Sequence, residues 1–236
     1  WSETPRYRDG KGAMIAQMTR QPLIRFRLGY AFGQGRPWEK AEPKALGAGR
    51  GWSSLAFWFA RELKLALDVP VGILAFYQGG TPIEKWTPGG ELFDKGVAPF
   101  APYTARGFIW YQGCANGPKD YCQKLHKLYH GWTNAFERAS LPMHLVQIPD
   151  HGAALQLEQS RFADEEPNAA VVVINDVGNA FGDEHPPRKE IVAQRLALQA
   201  LKRVYGFDGI EADAPRALSA TREGEKVRVT FAHAQS

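Results

Sequence analysis

The chain has 236 residues, 44% of them hydrophobic, and a formal net charge of +4 at pH 7. That length suffices for one large α/β domain with a sizeable core, and no apolar run approaches the roughly 20 residues a bilayer-spanning helix needs, so membrane insertion is not expected. Lys and Arg exceed Asp and Glu by 29 to 25, but the excess is spread along the chain, which argues against a nucleic-acid surface.

Residues 1–50 are rich in Gly, Pro and charge, with one short strand expected over Leu23–Leu28, where Leu23, Ile24, Phe26 and Leu28 give a weak alternation. Ser53 is placed to cap a helix running to about Asp68, with Phe57, Phe59, Ala60, Leu63 and Leu67 at helical spacing. The run Pro70–Phe76 (PVGILAF) reads as a strand covered on both faces, and it stops at Gln78-Gly79-Gly80-Thr81-Pro82. Gly107–Tyr111 (GFIWY) repeats the pattern, passing through Gln112-Gly113-Cys114-Ala115-Asn116-Gly117 into a helix with Tyr121, Leu125, Leu128, Trp132 and Phe136 on one face. Met143–Ile148 and Ala169–Ile174 are further strands, each followed by a helix: one near Ala153–Phe162, the other opened by Pro186-Pro187 and turning Ile191, Leu196, Ala200, Leu201 and Val204 inward.

Four apolar strands alternating with amphipathic helices predict a three-layer α/β/α sandwich around a mostly parallel sheet, of flavodoxin-like type, because parallel neighbours need crossover helices. The texture changes after Tyr205-Gly206 to Gly, Pro and Asp and then to alternating strand residues. The expected division is therefore 1–207 for the α/β domain and 208–236 for the beginning of a β-rich module. Trp1 at one end, and the strand Lys226–Ala232 with no partner strand after it, read as cut ends.

In open α/β sheets the ligand site lies outside the carboxyl ends of the strands. Gly79-Gly80 allows backbone N–H groups to approach a ligand closely, although a plain tight turn is the favoured reading of the pair taken alone. Asn116 carries an amide able to donate to developing negative charge, although asparagine between glycines is more often a turn residue. In Asp183-Glu184-His185-Pro186 a carboxylate two residues before an imidazole can hold one ring nitrogen and leave the other free as a base; the competing reading is a charged loop favoured by the helix dipole. Asp150-His151 is a second acid–imidazole pair, and His126 and His130 read as surface residues of an amphipathic helix. Cys114 and Cys122, eight positions apart, are either a local disulfide or two thiols. With His126 and His130 they form a C-x7-C-x3-H-x3-H spacing that does not match the usual short zinc pair, so no metal is expected.

Taken together, these segments resemble the sialate O-acetylesterase group of the SGNH (GDSL-type) hydrolases, over roughly residues 23–206. Val69-Pro70-Val71-Gly72-Ile73 followed by Gly79-Gly80-Thr81-Pro82-Ile83-Glu84-Lys85-Trp86 is similar to the family's VPVGI and GGTPIEAW stretch. Gly107-Phe108-Ile109-Trp110-Tyr111-Gln112-Gly113 is similar to its GxIWYQGESN, and Asp183-Glu184-His185-Pro186-Pro187-Arg188-Lys189 to its DIHPxxK.

The resemblance implies an exported enzyme, secreted or periplasmic, that removes acetyl groups from an acetylated carbohydrate without a cofactor. Asp183 and His185 would be the acid and base of a Ser-His-Asp triad. Asn116 with an N–H of Gly79 or Gly80 would form the oxyanion hole, and Gln112, Glu84 and Trp86 would bind substrate or support the site. The family's nucleophile sits in a GQSN motif, and none of Ser2, Ser53, Ser54, Ser140, Ser160, Ser219 and Ser236 has that context; the motif is expected upstream of Trp1. Cys114-Ala115 stands where the family has Glu-Ser, and a Cys114–Cys122 link would replace the lost acidic support. Two other readings follow from the departures: a catalytically inactive carbohydrate-binding relative, and a thiol hydrolase using Cys114 with His185.

Overall fold

The computed structural model describes residues 23–29, 37–42, 53–101, 103–149, 152–177, 186 and 188–234. Strand β1 (Ile24–Leu28) buries Ile24, Phe26 and Leu28 in strict alternation, pairs in parallel with β3 (Val71–Ala75), and pairs antiparallel with the short β2 (Glu39–Lys40). β4 (Phe108–Trp110), β5 (Met143–Val146) and β6 (Ala169–Val172) form a second, wholly parallel sheet in the order β4-β5-β6. Between the strands run α1 (Ser54–Leu67), α2 (Tyr121–Ala135), α3 (Gly152–Glu165) and α4 (Lys189–Tyr205).

Local chemistry sets the start of α1 and the end of α4. Ser53 accepts from the Ala56 N–H at 3.2 Å to cap α1, and α4 closes on Gly206, whose φ of 74° lets its N–H return to the Leu201 carbonyl.

Three layers follow from which face each strand residue buries. Met143 and Leu145 of β5 join the core under α2 and α3, with Tyr121, Leu125, Leu128, Trp132, Leu155 and Phe162. Val146 and Val172 turn the other way, into a core with Leu55, Phe57, Ala60, Val192 and Leu196 of α1 and α4. Each of these large side chains contributes about 1.5–3 kcal/mol by leaving water.

β3 departs from the expectation of a strand covered on both faces: Gly72 is exposed and Ile73 and Leu74 are half-buried. Among the described residues β3 and β4 do not hydrogen-bond to each other. Their facing edges line a cavity of about 580 Å³ that also touches Gln78, Thr81, Gln112 and His144.

The strand Lys226–Ala232 (β8) has its partner before it in the chain. β7 (Arg216–Glu223) pairs with it antiparallel, and this hairpin is exposed along nearly its whole length. Arg216 reaches back to Asp164 of α3 at 2.6 Å.

His144, in the middle of β5, is 3% exposed, and neither ring nitrogen finds a hydrogen-bond partner among the described residues. Burial, helped by the positive charge of Arg203, pushes its pKa down from 6.5 to about 4. The unfolded chain therefore binds a proton that the folded chain refuses between those values. Stability is present in full above pH 6.5 and falls as the pH drops toward 4, by about 3 kcal/mol in all. Urea unfolding at pH 7 and pH 5 should show wild type losing about 2 kcal/mol more than His144→Leu; equal losses would remove His144 as the cause.

Candidate active site

The loops after β3 and β4 meet at one end of the sheet and are joined by Gln112, which is buried. Its Nε2 donates to the Thr81 carbonyl at 3.1 Å and to Asn116 Oδ1 at 2.9 Å. Its Oε1 accepts from the Tyr121 hydroxyl at 2.6 Å, and the same hydroxyl lies 2.8 Å from the Gln112 carbonyl. One amide thus ties the Gly79-Gly80 turn to Asn116, with every polar atom satisfied.

Asn116 is oriented by partners whose roles are unambiguous. The Ile83 N–H donates to Oδ1 at 2.8 Å, and Nδ2 donates to Glu84 Oε2 at 2.8 Å. With Gln112 also donating to Oδ1, the carbonyl side of the amide is saturated. The second N–H of Nδ2 has no acceptor among the described residues and is available to a ligand. Glu84 is itself held by Lys124 at 2.9 Å. Partial burial raises the Glu84 pKa, but hydrogen bonds from Lys124 and Asn116 outweigh it, and the net shift is downward. The acceptor for Asn116 is therefore a carboxylate.

The Gly79-Gly80 turn is exposed, and Gly80 takes φ +68°, a conformation that favours glycine. Neither N–H has an acceptor among the described residues, and a Cβ at either position would meet nothing within 4 Å. The turn is pinned from one side by Thr81, whose Oγ1 donates to the Gln78 carbonyl at 2.8 Å and accepts from Trp86 Nε1 at 3.0 Å. Trp86 is 6% exposed and its carbonyl accepts from Trp132 Nε1 at 2.8 Å. It belongs to an aromatic floor with Trp110 and Trp132 beneath the loops. Trp86 is thus buried, whereas Glu84 stands at the surface.

Gly113 is required by contact: a Cβ there would come within 2.9 Å of Ile148 Cγ1 and 3.2 Å of Leu155 Cδ2. Gln159 of α3, fully buried, completes the underside by accepting from the Ile148 N–H at 2.8 Å and donating to the Gln112 carbonyl at 3.4 Å.

Asp183 and His185 lie outside the described residues, as do Asp150 and His151. Their flanks are described. Val177 and Pro186 are buried, Asp176 is gripped by Arg195 at 2.6 and 2.7 Å, and Lys189 Nζ lies 5.5 Å from the centroid of the Tyr111 ring at the end of β4.

The Cys114–Cys122 link is not formed: both residues are thiols. Cys122, one residue into α2, turns its Sγ toward Glu165 of α3 at 3.5 Å, while Cys114 packs from the loop against the core. Burial, reinforced by the Glu165 carboxylate, pushes the Cys122 thiol up to about 11.

Tyr121, Lys124, Thr81 and Gln159 were not anticipated as parts of the site. Tyr121 shows as a core position of its helix, and nothing in its spacing marks the hydroxyl as the anchor of Gln112. Burial holds its phenol well above the ordinary range, so it remains a neutral donor.

Residues 10–196 match the model of a family described as carbohydrate esterase, sialic acid-specific acetylesterase. The chain is 28% identical, over 75% of its length, to proteins named sialate O-acetylesterase from Homo sapiens and Pongo abelii, and spans 44% of theirs. It therefore spans less than half the length of these curated relatives. A crystal structure of a carbohydrate acetylesterase from Xanthomonas citri superposes with a TM-score of 0.80 at 26% identity, covering 96% of this chain and 58% of that one. A structure of an Arabidopsis thaliana protein shares the fold, with a TM-score of 0.65 at 18% identity, covering 78% of this chain and 82% of that one.

Proposed function

Since the chain belongs to the sialic acid-specific acetylesterase family of carbohydrate esterases, we propose that it hydrolyses acetyl esters on sugars, sialic acid or an acetylated plant polysaccharide, through an acyl-enzyme. The observation that carries this reading is the pairing made by Gln112: an exposed turn with two unengaged N–H groups and an amide with one unengaged N–H, both anchored on the same buried side chain. Such preorganised donors suit the oxyanion that develops when an ester carbonyl is attacked.

The nucleophile is a serine upstream of Trp1. Its hydroxyl attacks the acetyl carbonyl, His185 takes the proton, Asp183 holds the imidazole, and the negative oxygen forms against Asn116 Nδ2 and the Gly79 or Gly80 N–H. The proton then passes to the departing sugar oxygen, and water, activated by the same imidazole, releases acetate. The sequence Asp183-Glu184-His185 supplies the acid and base.

Hydrolysis of an aryl acetate and of an O-acetylated sialic acid by the full-length protein is the direct test. Release of acetate from both is expected. Absence of turnover in protein shown to be folded would overturn the esterase reading in favour of a carbohydrate-binding one.

A further inference from the structure

Away from the loops that hold Gln112 and Asn116, the first turn of α2 and the last residue of α3 bring together a thiol, an imidazole and a carboxylate that the esterase chemistry does not use. Cys122 and His126 are four residues apart on α2, hence on one face of that helix. Glu165, which ends α3, stands opposite them. Its Oε2 lies 3.0 Å from His126 Nε2 and 3.5 Å from Cys122 Sγ. We propose that Cys122, His126 and Glu165 bind a thiophilic divalent cation, Zn²⁺ by preference, with a fourth position open to water.

The three ligand atoms lie within 4.8 Å of one another, close enough to share one ion. Zn–S, Zn–N and Zn–O bonds of about 2.3, 2.0 and 2.1 Å separate a nitrogen from an oxygen ligand by roughly 3.3 Å and a sulfur from an oxygen by roughly 3.5 Å. The sulfur–oxygen distance already has that value, and the nitrogen–oxygen distance must open by only a few tenths of an ångström. The ligands are also held from behind. Arg161 Nε donates to the other oxygen of Glu165 at 2.7 Å, leaving Oε2 for the ion. The His126 ring stands edge-on to Phe162 at 4.9 Å. Such supporting contacts orient metal ligands.

Access is from solvent: the His126 and Glu165 side chains are 27% and 42% exposed above the buried sulfur. Mixed thiolate, imidazole and carboxylate donors favour zinc over the hard cations. Binding exchanges the thiol proton for the ion and fastens α2 to α3 one residue from Tyr121, the anchor of Gln112. The C-x7-C-x3-H-x3-H spacing points to the wrong set, because Cys114 is not in the cluster and Glu165 comes from another helix.

Co²⁺ titrated into the reduced, chelator-treated full-length protein reports on this directly. One equivalent should bind with a thiolate-to-cobalt absorption band that Zn²⁺ abolishes. Cys122→Ser should lose the band and Cys114→Ser should keep it. His126→Gln and Glu165→Gln, at partly exposed positions that leave folding intact, should each weaken binding by about tenfold or more. No band in folded wild type, a band that follows Cys114, or wild-type affinity in both surface variants would overturn the site. Esterase activity enters none of these readouts.

Discussion

His185→Ala in the full-length protein is expected to lower acetyl-ester turnover by about three orders of magnitude or more, with the far-ultraviolet circular dichroism unchanged. The size follows from the part assigned to the imidazole. Without it the serine hydroxyl has no proton acceptor and the leaving sugar oxygen no proton donor, and only the oxyanion donors and substrate binding remain. Described residues on either side of His185 make contacts of their own. Asp176 pairs with Arg195 through two hydrogen bonds, and Lys189 caps the Tyr111 ring where β4 runs into the Gln112 loop. A fall of less than about tenfold in the folded variant would transfer the base role to another imidazole; His151, beside Asp150, is then the next to replace.

Asn116→Ala should reduce kcat by about 10²–10³ with little change in KM, the signature of a donor used mainly in the transition state. One N–H of the amide is left over because everything else about it is engaged. Ile83 N–H and Gln112 Nε2 fill Oδ1, and Glu84 takes one proton of Nδ2. Removal also leaves the Ile83 N–H without its acceptor, at a cost of about 1–3 kcal/mol. Glu84 keeps Lys124 and is exposed, so it adds little to that cost. Chemical denaturation of the variant therefore accompanies the kinetics. A rise in KM alone would make Asn116 a substrate-binding residue, and an unchanged kcat would take it out of the oxyanion site.

Much of the fold was open to reading because its signals are local. Each of the four apolar runs after residue 53 became a strand, and Ser53 capped its helix, because strand burial and capping depend on neighbours only a few residues away. The glycine-rich turns after the first two of these strands, at Gly79-Gly80 and around Asn116, were likewise visible as turn chemistry.

Other features required the tertiary structure, since they join side chains far apart in the chain. Gln112 reaches Thr81 across 31 positions and Ile83 reaches Asn116 across 33. Tyr121 could only be read as a core position until its hydroxyl met Gln112, and Cys122, open in the sequence to a link with Cys114 or to a free thiol, turns its Sγ to Glu165, 43 positions on. Hydrophobic periodicity says which way a side chain points, and it cannot say which polar atom waits there. That is settled when helices and strands pack, because a buried donor or acceptor must then find whatever partner the layers bring within reach.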